Sequence, residues 1–526
     1  MFFKYLSFYA PTSRNVASFD EYILNLTNKL NIEPIKIDNG IYEKVFYEFK
    51  SEKNIILSGT AGDGKTYILR KLFFERDNKD GFSEFVPKIK NQNFITYFIK
   101  DFTELSKEDK KKYLKKLENS IFNNTNEKFI IAANDGILVD SLKEFKMYKL
   151  LELIEKLIDG ETFENIALFD LFETSSAKNF ELILNEVIKR AKEVECNYKN
   201  CVIHNNIKLL ENDIIKQQLI KLIKISDLNY EHLTFRKLFM IIANMILGYE
   251  KGVFGSCKEA NEYYKNKDKI DFAFYNKVFA DNLNNSFKEK FPFNELEIGF
   301  ITSNIIDEKI LYEDINIERY FFNKDKFNKL KEQFFEDNST FKELNNYLVY
   351  LRRYLFFSDI SLSKDLIIYK YLDEFIDIVN NKNISKTILK KIIKALNIIF
   401  IGELVEDDSK LFIASSFTKS FSKISDEIID EINIKDIDFY FKESKIDKNY
   451  IKVYLKVRNE KIKIDLHMYE FLRRVSDGIL PVSFSSEYYE KVLNFKSKLL
   501  KTCVDDDFNL ISINNFRVMP EYLGID

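Results

Sequence analysis

The sequence predicts an α/β core built on a parallel sheet, then a largely helical region and a small C-terminal α+β segment. Three observations predict this. Up to about residue 171, short apolar runs alternate with helix-like stretches, and strands separated by helices give a parallel sheet covered on both faces. From about Ser175 apolar residues fall at helical spacing, as in Phe180, Ile183, Leu184, Val187 and Ile188, one face of a helix. Near the C-terminus Ile451, Val453, Leu455 and Val457 alternate with mostly polar residues, and Ile462, Ile464 and Leu466 alternate again beyond Arg458–Lys461, which predicts a hairpin.

The elements follow in order. Ser18 is a fitting N-cap for a helix from about Phe19 to Leu30. Asn54-Ile55-Ile56-Leu57-Ser58 reads as a buried strand before a glycine-rich turn, with a helix over Lys65–Arg76. Further strands are expected at 94–99, 128–133 and 166–171, with a basic helix over Lys107–Ile121 capped by Ser106. Helical spacing recurs over 207–225, 233–247, 326–335, 341–357, 366–379 and 384–399, and again over 467–475 and 486–500. Residues 253–294, polar and aromatic, read as a loop-rich insertion. The expected division is a helical lead-in (1–50), a core (51–195), a cysteine-containing insertion with a helical lid (196–260), a helical domain (261–400) and an α+β domain (401–526).

Composition narrows the function classes. Of 526 residues 45% are hydrophobic and 31% charged, which excludes a disordered tail, a collagen and a coiled coil. The net charge of −3 supplies no global attraction to nucleic acid, so any DNA contact has to be local. Four cysteines do not make a disulfide scaffold, and a reducing cytosol is expected. Met1–Tyr5 has no basic segment followed by an apolar run, so no signal peptide is expected. The longest apolar stretch, about Leu238–Gly248, falls short of the ~20 residues of a membrane span. The 50 Phe accompany abundant Lys, Asn and Ile and no Trp, a compositional bias that assigns most of them to cores.

The chemistry concentrates in Gly59-Thr60-Ala61-Gly62-Asp63-Gly64-Lys65-Thr66. It matches G-x-x-x-x-G-K-[ST] in full and stands between an apolar strand and a helix. Glycines let the backbone turn its N–H groups toward phosphate oxygens, and the following helix adds its positive end. Lys65 is placed for the β and γ phosphates of ATP and Thr66 for Mg²⁺. The core is therefore expected to be an α/β P-loop NTPase. Asp101, ending a strand, is the expected carboxylate on the metal, and Glu104 the candidate that activates water. Glu104 also reads as a helix-entry carboxylate. Asn134, ending the next strand, reads either as the polar sensor of AAA+-like ATPases or as a turn-forming residue before Asp135-Gly136. Arg236 is a candidate lid arginine at the nucleotide. Arg352-Arg353 reads as a trans-acting finger, a phosphate-backbone contact or an ion pair.

Two further features stand apart. Cys196-x4-Cys201-x2-His204, joined by Cys257, offers the thiolates and imidazole of a structural Zn²⁺ site, with isolated buried thiols as the competing reading. Cys503 reads as core. Lysines crowd 107–116 and 386–394, which reads either as a DNA-binding surface or as solvated helix faces.

The combination of residues 59–66 with Lys100-Asp101-Phe102-Thr103-Glu104-Leu105, Ala132-Ala133-Asn134-Asp135-Gly136 and Leu233-Thr234-Phe235-Arg236 resembles the DptF family of DNA phosphorothioation-dependent restriction proteins. The segments around Leu351-Arg352-Arg353 and Phe484–Lys496 look similar too. The resemblance implies a cytoplasmic ATPase subunit of a bacterial anti-phage defence system, acting with DptG-like and DptH-like partners on DNA that lacks the phosphorothioate mark. DNA would be reached through the complex, and a homo-oligomer fits the class. By position, Gly59–Thr66 would bind ATP, Asp101 would organise Mg²⁺ and Asn134 would sense the γ phosphate. An alternative is a nucleotide-gated scaffold with little hydrolysis.

Overall fold

The computed structural model describes residues 1–11, 20–76, 81–90, 93–264, 267–313, 315, 317, 320–337, 339–402, 408–414, 428–502, 511–514 and 517–520. Ser18, Phe19 and Cys503 lie outside the described residues. The chain divides into two compact units, Met1–Asp227 with Glu231–Ile368 and Lys445–Tyr450, and Leu228–Tyr230 with Tyr369–Ser444 and Ile451–Asp526.

The first unit holds a five-stranded sheet of β1 (Asn54–Ser58), β2 (Lys88–Lys90), β3 (Ile95–Ile99), β4 (Glu127–Ala133) and β5 (Ile166–Asp170), in spatial order β2-β3-β4-β1-β5. All neighbours are parallel except the short edge strand β2, which runs antiparallel to β3. β1 is apolar throughout its centre because both of its faces are covered. Ile55 and Leu57 face the helices Ile41–Lys50 and Lys65–Arg76, joining Leu69, Leu72 and Phe73. Ile56 faces the opposite way, into the helices Lys107–Phe122, Asp135–Glu144 and Tyr148–Asp159, with Leu114, Leu138 and Ile154. This is the period of two of an extended chain, and each such side chain contributes about 1.5–3 kcal/mol by burial. Asn54, fully buried, locks the start of β1. Its amide donates to Ser120 Oγ at 3.0 Å and Asn165 O at 3.1 Å, and its carbonyl accepts from Phe129 N at 3.0 Å.

The helices of this unit begin where short polar side chains take up free N–H groups. Ser106 Oγ accepts from Asp109 N at 3.1 Å, and Ser175 Oγ accepts from Lys178 N at 3.2 Å. Asp227, fully buried, adds bonds from Ser176 N and Ala177 N at 2.8 and 3.1 Å. Lys445–Tyr450 belongs to this unit as well. Ile446 joins the core beneath β1, and Asp447 accepts from Ser175 N at 2.9 Å.

Within 253–294, read as loop-rich, turns alternate with short helices. After a two-stranded hairpin, β6 (Gly248–Tyr249) and β7 (Gly252–Val253), come Cys257–Tyr264 and the one-turn helices Ile270–Phe272, Phe274–Lys277 and Asn285–Lys288, and Phe272, Phe274, Tyr275, Val278 and Phe279 are buried. Arg352 and Arg353, on the helix Phe341–Ser358, are buried in this region. Arg352 bonds Asp307 at 2.8 Å and Gly299 O at 3.1 Å. Arg353 bonds Ile298 O at 3.0 Å, Asn276 Oδ1 at 2.8 Å and Asp281, with its guanidinium 4.5 Å from the Phe279 ring centre. Neither side chain is free for a trans-acting finger or for a phosphate backbone.

The second unit is α+β. Strands β8 (Lys410–Ala414) and β9 (Ile428–Asn433) pair antiparallel, β13 (Ile511–Asn514) pairs with β9, and β14 (Arg517–Pro520) pairs with β13. Strands β10 (Ile437–Glu443), β11 (Ile451–Val457) and β12 (Glu460–Ile464) form an antiparallel meander. The expected hairpin is β11–β12, and β10 adds a third strand. Asn397, on the helix Lys386–Ile401, closes the edge of β8 by donating to Lys410 O and accepting from Phe412 N, each at 2.9 Å. Among the described residues no helix is long and apolar enough to cross a membrane.

Candidate nucleotide site

The loop 59–66 leaves the carboxyl end of β1 and enters the helix Lys65–Arg76. Gly59, Gly62 and Gly64 have φ of 150°, 101° and 82°, conformations glycine adopts without steric cost. At Gly62 the requirement is double. A Cβ there would lie 2.9 Å from Arg236 Cβ and 3.1 Å from Thr234 Oγ1. At Gly64 a Cβ would meet nothing within 4 Å, so the turn into the helix borders open space. Ile68 N bonds Gly64 O at 3.0 Å, so the earlier amides of the first turn have no partner four residues back.

Lys65 reaches back across the loop. Its Nζ donates to Gly59 O at 2.8 Å and Thr60 O at 2.7 Å, two of the three bonds an ammonium can make. Burial lowers its pKa from the ordinary lysine value, opposed by the charges of Asp63, Asp101 and Asp135. Asp63 is buried and braces the loop from within. Its Oδ2 accepts from Thr60 N at 2.6 Å and Thr60 Oγ1 at 3.1 Å, while its Oδ1 meets His232 Nε2 at 2.7 Å. The His232 ring lies against Phe172, centroids 5.0 Å apart.

The helix Phe235–Leu247 abuts the loop with its first turn. Thr234 Oγ1 caps it by accepting from Lys237 N at 3.3 Å, and Arg236 N bonds Gly62 O at 3.4 Å. Arg236 is thereby brought to the loop, half-buried, and burial lowers its pKa.

Two strand ends supply acids. Asp101 follows β3 and caps the one-turn helix Phe102–Glu104, accepting from Thr103 N at 2.8 Å. It is exposed, yet near enough to act on the charge of Lys65. Glu104 is exposed at the end of that turn, and among the described residues no bond links it to the loop. Asn134 follows β4 and caps the helix Asp135–Glu144, its Oδ1 accepting from Gly136 N at 3.1 Å and Ile137 N at 3.4 Å. Its amide N–H groups are not engaged by that cap. Thr66 is the second residue of the helix that opens at Lys65.

Sequence reasoning missed Asp135 and His232. β1 and β4 are neighbours, with Ser58 opposite Ala133, which places Asp135 beside the loop. Ser58 Oγ donates to Asp135 Oδ1. Burial pushes the Asp135 carboxyl above its ordinary range, with Ser58 and Lys65 acting the other way. The signal for Asp135 was its position at a strand's carboxyl end, which becomes informative once β4 is known to lie next to β1. One of the chain's three histidines, standing four residues before Arg236, was the signal for His232.

The sulfur cluster also assembles. One ligand atom each from Cys196, His204 and Cys257 lies within 4.8 Å of the other two. Cys201, buried, lies near enough to Cys257 and Cys196 for their thiols to act on its own. Its thiol is pulled down to about 6, first by the Cys257 hydrogen bond and then by backbone N–H groups of His204 and Ile203. Cys257 is pushed up by donating to Cys201 and by burial.

Comparison of the chain with protein-family models, with curated proteins and with solved structures returned no match, so the reading of the site rests on its residues and their geometry.

Proposed function

We propose that this chain is a P-loop ATPase whose AAA+-like core lies within residues 51–195 and whose site is completed by the segment 232–236. One observation carries the reading: an eight-residue glycine loop between a buried strand and a helix, with Lys65 across it and the carboxylates of Asp101 and Asp135 within range of Lys65's charge. The residues present suit a nucleoside triphosphate. Lys65 and the loop amides from Gly62 to Thr66 would hold its phosphates, and Thr66 with Asp101 or Asp135 would hold Mg²⁺. Bound Mg²⁺ would supply charge neutralisation at the transferred phosphoryl group. Arg236 orients from the loop's other side, and Asn134 keeps amide donors for the γ phosphate or the attacking water.

The resemblance to DptF proteins supports the biological setting: ATP turnover that powers or licenses restriction of DNA lacking phosphorothioate marks, together with DptG-like and DptH-like partners in the cytoplasm. A second reading, a nucleotide-gated scaffold with little hydrolysis, is favoured by the separation of Asp101 and Glu104 in the sequence and by the exposure of Glu104. Purified chain should bind and hydrolyse ATP with Mg²⁺, and Lys65→Ala should lower kcat on the order of 10²–10³-fold with an unchanged melting temperature. Wild-type turnover in the variant would refute the site. Turnover measured with and without unmodified DNA and partner proteins separates the motor from the scaffold.

A further inference from the structure

The cluster of Cys196, Cys201, His204 and Cys257 lies apart from the proposed nucleotide loop. We propose that these four side chains form a closed structural zinc site that fastens the helix Cys257–Tyr264 to the helix Val202–Leu210.

The geometry is close to what the ion requires. Tetrahedral ligands about 2.0–2.3 Å from zinc stand about 3.3–3.8 Å from one another. The ligand atoms of Cys196, His204 and Cys257 already lie within 4.8 Å of each other, so closure needs a contraction of about 1 Å. Cys201, a buried thiol neighbouring those of Cys196 and Cys257, completes the set as the fourth donor of the proposal.

The surroundings point the same way. Cys201, buried, stands at the N-terminal end of the helix Val202–Leu210, one turn before His204. The His204 ring is set edge-on against Phe3, centroids 5.8 Å apart, and its Nε2 is buried with no hydrogen-bond partner among the described residues. A buried imidazole nitrogen without a partner is costly, and metal ligation removes that cost. Cys257 opens its helix directly after the β6–β7 hairpin. Its sulfur is brought from far along the chain to within 4.8 Å of the ligand atoms of Cys196 and His204.

The donor set selects the ion. Three thiols and one imidazole suit tetrahedral zinc, while calcium and magnesium take oxygen ligands. A disulfide between two of the sulfurs would leave a thiol and the imidazole without a role. The helix Val202–Leu210 also packs on the helix Phe235–Leu247, so the staple braces the element whose first turn touches Gly62.

The test uses the full chain purified under reducing conditions, with metal content measured by inductively coupled plasma mass spectrometry. One zinc per chain is expected in the wild type and in Cys503→Ser, falling to background in Cys257→Ser and His204→Ala. Replacing zinc with cobalt should give the intense visible bands of a tetrahedral thiolate site. Should the cluster variants fail to fold, the wild-type cobalt spectrum and its thiol reactivity decide alone. Cys196, Cys201 and Cys257 should resist a thiol reagent until a chelator is added. Metal-free wild-type protein with a featureless cobalt titration, or a disulfide mapped between these cysteines, would overturn the proposal. None of these readouts depends on ATP turnover.

Discussion

Gly64 and Gly299 share a left-handed backbone, with φ of 82° and 95°, yet the space beside them differs. A Cβ on Gly64 would meet nothing within 4 Å, whereas one on Gly299 would lie 3.0 Å from both Cγ and Nε of Arg353. The glycine in the loop leaves an opening beside Lys65. The glycine in the aromatic region makes room for a cation that already fills it. Arg353 is held by Ile298 O, Asn276, Asp281 and the Phe279 ring, while Lys65 makes two bonds to its own loop and has a third N–H to give. A buried cation enclosed by its own fold is architecture. A half-buried cation at the edge of open space, near carboxylates, is what the proposed nucleotide site requires.

This contrast is open to test in three ways, beginning with the largest effect. Arg353→Ala removes one partner of a buried ion pair and should cost about 3–5 kcal/mol of stability, read by urea unfolding. A variant as stable as the wild type would break the comparison. Asp135→Asn keeps the shape beside the loop and removes the charge near Lys65. The Mg²⁺ concentration needed for half-maximal ATP turnover should rise about 10–100-fold, and no change would leave Asp101 as the metal's carboxylate. Gly64→Ala should lower stability by about 1–2 kcal/mol through left-handed strain and should weaken nucleotide binding as well. Gly40→Ala is the control. Gly40 has φ of 78° and equally open surroundings, so it should show the strain in a thermal melt and leave nucleotide affinity alone.

What was legible in the sequence was local. The loop 59–66 is a contiguous motif, and β1 announced itself because a strand covered on both faces is apolar through its centre. The helix Lys107–Phe122, expected over Lys107–Ile121, was legible from its Ser106 cap. What escaped depends on distant pairing. Asp135 matters because β4 sits against β1, and no residue near 135 encodes that neighbour. Asp63 and His232 stand 169 positions apart and meet at 2.7 Å. In the region 253–294 the burial of Asn276 and Lys277 among its aromatics was not legible, because helices such as Phe274–Lys277 are too short to show a period.

The segment Lys445–Tyr450 has a consequence for the birth of the molecule. Its Ile446 lies under β1, and its Asp447 receives an N–H at the start of the helix Ser176–Lys192. A chain emerging from the ribosome lacks this wedge until position 450 has been translated. The first unit therefore waits, unfinished, while about half of the second unit is being made, and proteins truncated near residue 368 should expose an apolar notch and be prone to aggregation.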